Sequence, residues 1–260
     1  MSEARMDNGA RLIDFRDRAG GWRAAHANNF IAEWIEPGAP ASVTSGQEML
    51  VVFLAGGGRI GQVEAPAYSI ALLPAGTHDI AASPGGAAVA LATDRPDLSL
   101  QPPPRDARVA PVGAPYRRKT PLMQPEVRTI ADIPFPEGNA RLKFLQSATM
   151  SINLVVYDGP RGKTALSPHA HADIEQGSLA LEGDFTHHLR TPWGSNAEAW
   201  KDDVHAQAEA ASLILIPPEL IHTSEGVEAG RHFLLDIFAP PRKDFIAKGW
   251  VLNAGDYDTP

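Results

Sequence analysis

The chain has 260 residues, of which 43% are hydrophobic and 21% charged, and its net charge is −8. This composition supports a sizeable core in one large domain or two small ones and excludes a largely disordered chain. Because the acidic balance lacks the basic footprint of a nucleic-acid binder, we expect no nucleic-acid partner. The absence of cysteine excludes disulfides and thiolate ligands, so any metal must be held by nitrogen and oxygen atoms.

Targeting signals are not evident in the first twenty residues, which are charged and have no apolar signal-peptide core. No apolar run approaches the length of a membrane span. From these features we expect a cytoplasmic protein without a membrane partner.

Short β-type runs, interrupted by glycine and proline, dominate the chain. Gly and Pro number 23 each, and few segments have the period of a long amphipathic helix. The spacing of the runs predicts an all-β fold of the sandwich or barrel type. We predict strands at Glu48–Leu54, Ser69–Leu73, Ala87–Ala92, Ser151–Val156, Ser178–Leu181, Ser212–Ile216 and His232–Phe238.

A proline-rich passage between residues 101 and 125 separates two halves of similar size. It offers few backbone donors for a sheet, which predicts a connector or an extended strap. We therefore divide the chain into an N-terminal domain at 1–100, a connector at 101–130 and a C-terminal domain at 131–260. The prolines of the passage are Pro102, Pro103, Pro104, Pro111, Pro115, Pro121 and Pro125.

The two halves repeat one pattern. Ser69–His78 (SIALLPAGTH) is similar to Ser212–His222 (SLILIPPELIH), because in both segments a proline follows the serine after five residues and a histidine comes after the proline. This repeat predicts a duplicated β-barrel.

A histidine-rich run at residues 168–176 (PHAHADIEQ) is followed about fifty residues later by a Pro-Pro turn that leads to His222. On an extended segment, His169 and His171 point to the same face. Together with a polar residue soon after them and His222 on a distant strand, they can close around one metal ion. Imidazole suits zinc, copper, iron and nickel.

These motifs resemble the cupin superfamily, and the whole chain resembles a bicupin with two double-stranded β-helix (jelly-roll) barrels. The second cupin motif, a Pro-led turn with a histidine, corresponds to Pro217–His222, although Glu219 and Leu220 occupy the turn where glycine is usual. The first motif, a glycine, His-x-His, a glutamate or its substitute and a second glycine, corresponds to Gly162, His169, His171, Gln176 and Gly183.

The third ligand remains open between two adjacent residues. With three residues after His171 it is Glu175, and with four it is Gln176; the six-residue spacing to Gly183 favours Gln176. Three histidines and a glutamine leave the full dipositive charge on the ion, which suits a Lewis acid acting on an anionic substrate. Two histidines and a carboxylate are typical of non-haem iron oxygenases.

The first half lacks the histidine pair. Counting back from Gln47, the matching positions are Ser42 and Pro40, neither of which is a good ligand, and seven of the nine histidines lie in the second half. We therefore predict a degenerate N-terminal barrel in which His78 is structural. The C-terminal barrel is expected to hold one divalent metal ion, which is zinc, nickel, manganese or iron.

A further cluster at residues 235–245 (LDIFAPPRKDF) adds candidate active-site residues. By strand alternation Asp236 and Phe238 share a face. Asp236 is a candidate general base, and Arg242 a candidate partner for a substrate carboxylate. This ending is similar to that of the small cupins that ketonise 4,5-unsaturated uronates. That resemblance implies metal-binding or active-site roles for His169, His171, Gln176, His222, Asp236, Phe238 and Arg242.

Two features bear on the pocket mouth. His187 and His188 are adjacent, so at most one faces the interior, and we take His188 as the candidate substrate-binding residue. Unlike the single-barrel uronate cupins, this chain carries an insertion at Arg190–Ala206. Its Trp193 and Trp200 form either an aromatic lip or a packing contact between barrels.

Three functions are compatible with these residues. The favoured function is a metal-dependent isomerase or tautomerase that acts on a small anionic, uronate-like or keto/enol acid by proton transfer. The alternatives are a dioxygenase of an aromatic or diketone substrate and a non-enzymatic ligand-binding bicupin. Because cupin barrels commonly associate through strand edges, the resemblance also implies a homodimer.

Overall fold

The computed structural model describes residues 2–16 and 23–258, so Met1 and residues 17–20 of the N-terminal stretch considered above lie outside it. In the described residues, helix is confined to α1 (Lys243–Ala247) and to 3₁₀ turns at Ala197–Ala199 and Ala254–Asp256. None of these helices is long and apolar enough to cross a membrane. The strands are β1 (Ser2–Arg5), β2 (Arg11–Asp14), β3 (Ala24–His26), β4 (Ile31–Ile35), β5 (Ala41–Ser45), β6 (Met49–Phe53), β7 (Gly58–Ile60), β8 (Val63–Ala65), β9 (Ser69–Leu73), β10 (Gly76–Ala82), β11 (Ala88–Ala92), β12 (Glu126–Thr129), β13 (Leu142–Gln146), β14 (Ser151–Asp158), β15 (Gln176–Glu182), β16 (Asp184–Arg190), β17 (Val204–Ala208), β18 (Ser212–Ile216), β19 (Ile221–Val227) and β20 (Arg231–Phe238).

All seven predicted strands are present, and their ends differ from the prediction by at most two residues. The bounds of β9 and β18 agree in full. Both strands are followed by a proline, Pro74 or Pro217, which cannot donate a backbone hydrogen bond to a sheet. The sequence does not predict half-exposed strands such as β10 and β17, because their polar outward faces interrupt the apolar run.

The strands form two compact units, each discontinuous in sequence. The C-terminal barrel comprises residues 2–16, 104–110 and 153–238, and the N-terminal barrel comprises residues 23–103, 111–152 and 239–258. These units cross the contiguous boundaries expected from the sequence. One reason is that β2 pairs with β18, with Leu12 opposite Ile214, so the start of the chain belongs to the C-terminal barrel.

The N-terminal barrel consists of a six-stranded sheet, in the order β12-β9-β6-β11-β4-β3, and a four-stranded sheet, in the order β5-β10-β7-β8. Its apolar core draws on both sheets, for example Val51 and Phe53 from β6 and Val43 from β5. His78 on β10 lies 2.9 Å, through Nε2, from the carbonyl oxygen of Pro74. Within the described residues no strand lies between β11 and β12, as expected for the proline-rich passage.

In the C-terminal barrel the strands β1-β2-β18-β15-β20-β14 are successive neighbours in one sheet, and β17-β16-β19 form a second sheet. The pairing of β15 with β20 shifts register after Ala180, which marks a β-bulge. Ala180, Phe185 and Leu234 pack together as one apolar cluster of this barrel. The start of β15, the start of β19 and the end of β20 carry the polar side chains described next.

Candidate metal centre

Three histidines meet in the C-terminal barrel. His169, His171 and His222 each offer a ring nitrogen, and these nitrogens lie within 4.8 Å of one another. The ring centroids of His169 and His222 are 4.5 Å apart, and those of His169 and His171 are 5.0 Å apart. His169 is exposed whereas His222 is only 3% exposed, so the triad is open to solvent on one side.

The backbone holds the two histidine segments together. The His169 N–H donates to the His222 carbonyl oxygen at 3.1 Å, and the His222 N–H donates to the His169 carbonyl oxygen at 2.8 Å. The Glu219 N–H also donates to the His171 carbonyl oxygen, at 2.7 Å. Glu219 has a φ of +70°, the left-handed conformation that glycine adopts most easily. The turn geometry of the second motif is therefore kept although glycine is replaced.

Backbone carbonyl groups fix the tautomers of two of the rings. The Nδ1 atom of His169 lies 2.9 Å from the Ser167 oxygen, and that of His222 lies 2.8 Å from the Leu220 oxygen. Because a carbonyl oxygen only accepts, each Nδ1 carries a proton, and in a neutral ring Nε2 carries the lone pair. Burial lowers the pKa of His222 to about 4, so its ring is neutral at pH 7. Metal-binding histidines are held in this way.

Gln176 completes the set of donors. Its Oε1 lies 2.8 Å from His171 Nε2 and 3.1 Å from His222 Nε2. In the neutral form of His222 this oxygen faces another acceptor, and a cation between the two atoms would relieve their repulsion. Glu175 is buried, but among the described residues its carboxylate does not belong to the group of converging donor atoms. The structure therefore brings Gln176, not Glu175, to the triad, and the resulting donor set fits a divalent transition-metal ion.

Asp236 lies directly beside Gln176. Its Oδ1 accepts hydrogen bonds from Ser178 Oγ at 2.6 Å and from Gln176 Nε2 at 3.2 Å. Desolvation by burial raises the pKa of Asp236 to about 6, although these hydrogen bonds oppose the rise. A carboxyl group with such a pKa can accept and release a proton near neutral pH. The rings of Phe238 and His171 are nearly perpendicular, with centroids 5.4 Å apart. Asp236 and Phe238, which share one face of β20, therefore both point into the barrel.

Two predicted substrate-binding residues have other partners in the structure. His188 contacts His205 and Glu225 on the outer face of the β17-β16-β19 sheet. Arg242 belongs to the N-terminal barrel, where its guanidinium donates to Asp244 at 2.7 Å. The structure thus does not bring His188 to the triad, because consecutive residues of a strand point to opposite faces.

His187 is the adjacent histidine that faces the interior, whereas the sequence prediction took His188 as the candidate. It is 1% exposed, and its Nδ1 lies 2.8 Å from Ser224 Oγ. Among the described residues its Nε2 has no hydrogen-bond partner. The signal that would have identified it is its phase, since the apolar residues Phe185 and Leu189 alternate with it on the same face.

The insertion between β16 and β17 packs on itself through its tryptophans. The rings of Trp193 and Trp200 are stacked, 4.4 Å apart and 6° from parallel. Trp200 Nε1 donates to the Gly194 carbonyl oxygen at 2.9 Å. Trp193 remains 72% exposed, so the pair forms a surface feature of this loop.

Two antiparallel barrels, with histidines converging in the second, define the double-barrelled cupin fold. No protein family profile and no curated protein sequence matches the chain. Its structure is similar to an oxalate decarboxylase from Lactobacillus farciminis in complex with formate, with a TM-score of 0.55 and 14% identity over 93% of this chain and 84% of that chain. An oxalate decarboxylase from Bacillus subtilis, studied for its Mn(II) centres, gives a TM-score of 0.52 and 13% identity over 92% and 75% of the two chains. At this level of identity the similarity establishes the fold.

Proposed function

We propose that this protein is a metal-dependent enzyme that transfers a proton within a small anionic acid of the uronate-like or keto/enol type, as an isomerase or tautomerase. The proposal depends on one observation, the convergence of His169, His171, His222 and Gln176 with Asp236 beside them. A small carboxylate as ligand is supported by the solved structure of similar fold that contains formate.

The three imidazoles and the amide oxygen of Gln176 would hold the ion. Bound by neutral ligands only, a divalent ion would keep its full charge and would supply a Lewis acid for an enolate or carbonyl oxygen. The role of the chain is to hold these donors in place. The backbone hydrogen bonds between His169 and His222, and the carbonyl groups that accept from their Nδ1 atoms, restrict the rings before substrate binds.

Asp236 is the group that we assign to proton transfer. Ser178 and Gln176 both donate to its Oδ1, which fixes the carboxylate and leaves Oδ2 for a substrate proton. The side-chain amide of Gln176 thus directs its oxygen to the triad and orients Asp236 through its nitrogen. The buried ring of Phe238, with its centroid 5.4 Å from that of His171, provides an apolar wall on this side.

The test is a screen of unsaturated uronates and small keto acids with metal-loaded protein. In the variant Asp236→Asn we expect turnover to fall by about a hundredfold or more, the usual contribution of a positioned acid–base group, while the metal content is unchanged. Asp184→Asn is the matched control, because Asp184 begins β16 and should not affect turnover. Unchanged turnover in Asp236→Asn would refute the assignment, and oxygen consumption by the ferrous protein would indicate a dioxygenase instead.

A further inference from the structure

A second pair of histidines converges on the outer face of the β17-β16-β19 sheet. His188 on β16 and His205 on β17 are direct cross-strand partners. Their Nδ1 atoms are 2.7 Å apart, and their ring centroids are 4.9 Å apart at an angle of 72°. Two imidazole nitrogens therefore point at one location on the side of β16 opposite to His187.

The buried carboxylate of Glu225 determines which ring nitrogen of His188 is free to bind a metal ion. His188 Nε2 lies 3.0 Å from Glu225 Oε2, and Glu225 is only 7% exposed. An ionised carboxylate only accepts, so Nε2 carries the proton and the lone pair of Nδ1 is directed at His205. Carboxylate groups orient metal-binding histidines in the same way.

The histidine pair opens onto a cavity of about 400 Å³. Leu166 and Ile221 line this cavity together with both histidines, and His222 of the triad also borders it. A volume of this size accommodates several waters or a small ligand, which can complete a coordination sphere that two imidazoles leave half filled.

We propose that His188 and His205 bind a divalent transition-metal ion of the copper, nickel or zinc type through their Nδ1 atoms. Metal–nitrogen bonds of about 2.0–2.1 Å in a tetrahedral site separate two nitrogens by roughly 3.3 Å. The observed distance of 2.7 Å therefore needs to open by about 0.6 Å to reach this separation. The competing arrangement, a hydrogen bond from one Nδ1 to the other, binds no ion. This proposal does not depend on the function of the triad.

The first experiment is a titration with Cu²⁺ alone, on protein without an affinity tag, followed by calorimetry and electron paramagnetic resonance. The double variant His169→Ala with His222→Ala should still bind one equivalent, with hyperfine coupling to imidazole nitrogen. Addition of His205→Ala should weaken this binding at least about tenfold, since one of two protein ligands is lost. His78→Ala in the same background is the matched control and should leave the binding unchanged.

A second comparison uses Glu225→Gln, which is expected to weaken Cu²⁺ binding by about ten- to a hundredfold while preserving the nitrogen signal. If the double variant fails to fold, the wild-type protein should bind two equivalents and His205→Ala one. Binding that His205→Ala leaves unaltered, or no binding beyond the triad, would overturn the proposal. If the triad itself binds no ion, the wild-type protein should bind a single equivalent that still depends on His205, so the two proposals fail independently.

Discussion

One amide side chain sets the charge of the proposed centre. Gln176 directs its oxygen to His171 and His222 and its nitrogen to Asp236, so a single residue links the metal donors to the base. Spacing in the sequence left Gln176 and Glu175 as alternatives. The choice between them determines whether a bound ion keeps its full charge, and hence its strength as a Lewis acid.

The variant Gln176→Glu tests this role. An added carboxylate should hold the ion at least as tightly, but the negative charge weakens the Lewis acid, so we expect turnover to fall by about tenfold or more. Metal content by mass spectrometry and steady-state kinetics measure the two effects. Glu175→Gln is the control and should keep its metal; loss of the metal in this variant would place the ligand at Glu175.

His187 should make stability depend on pH. Burial lowers its pKa from 6.5 to about 3, so the unfolded chain binds the proton more readily than the folded chain does. The contribution of His187 to the free energy of unfolding is fully present above pH 6.5 and is lost as the pH falls from 6.5 towards 3. In His187→Gln we expect a shallower fall, by up to about 1.4 kcal/mol per pH unit, in urea unfolding of metal-free protein. An unchanged slope would show that His187 does not titrate on unfolding.

At the scale of elements, the two motif glycines have different structural roles. Gly183 joins β15 and β16 with a φ of +77°, and an added Cβ would lie 2.6 Å from the Arg231 carbonyl oxygen. An added Cβ at Gly162 would meet no atom within 4 Å among the described residues, and its φ is ordinary. Of these two glycines, only Gly183 is therefore required by the backbone conformation.

We therefore expect Gly183→Ala to lower the free energy of unfolding by about 2 kcal/mol or more, because it combines a left-handed backbone with a backbone clash. Gly162→Ala should stay within about 0.5 kcal/mol of wild type. Denaturant unfolding monitored by circular dichroism measures both. Equal effects of the two substitutions would contradict this reading of the turn.

Fully buried strands are easier to predict from the sequence than half-exposed ones. Strands β6, β9, β11 and β18 are buried at every position, and apart from the serine that begins β9 and β18 each is an apolar run that the sequence shows directly. Strand β16 mixes buried and half-buried polar residues, and its run of Thr186, His187 and His188 obscures the alternation of Phe185, His187 and Leu189. It was missed for that reason, although it supplies residues to both faces of the barrel wall.

At the scale of the whole molecule, the repeat predicted from the sequence is present as two barrels, but the chain does not divide between them at the proline-rich passage. Residues 104–110 of that passage belong to the C-terminal barrel, and residues 239–258 belong to the N-terminal barrel. The absence of a metal from the N-terminal barrel and the homodimer implied by the cupin resemblance stay predictions.

Metal binding should stabilise the folded protein as a whole. An ion present at a hundred times its dissociation constant adds about 2.7 kcal/mol to the free energy of unfolding. We expect calorimetry to show a higher unfolding temperature when Mn²⁺ is added. The double variant His169→Ala with His222→Ala should lose most of this shift, and His78→Ala should keep it. An equal shift in the double variant would show that the triad is not the stabilising site.

The sequence by itself determined the all-β class, the duplication, most buried strands and the three histidines of the triad. These features follow from local composition and from the two-residue period of an extended chain, which puts His169 and His171 on one face. Only the tertiary structure places Gln176 rather than Glu175 beside the triad, and His187 rather than His188 on the interior face. Adjacent residues of a strand face opposite sides, so a shift of one position exchanges interior and surface, and that phase is fixed by the pairing of distant strands.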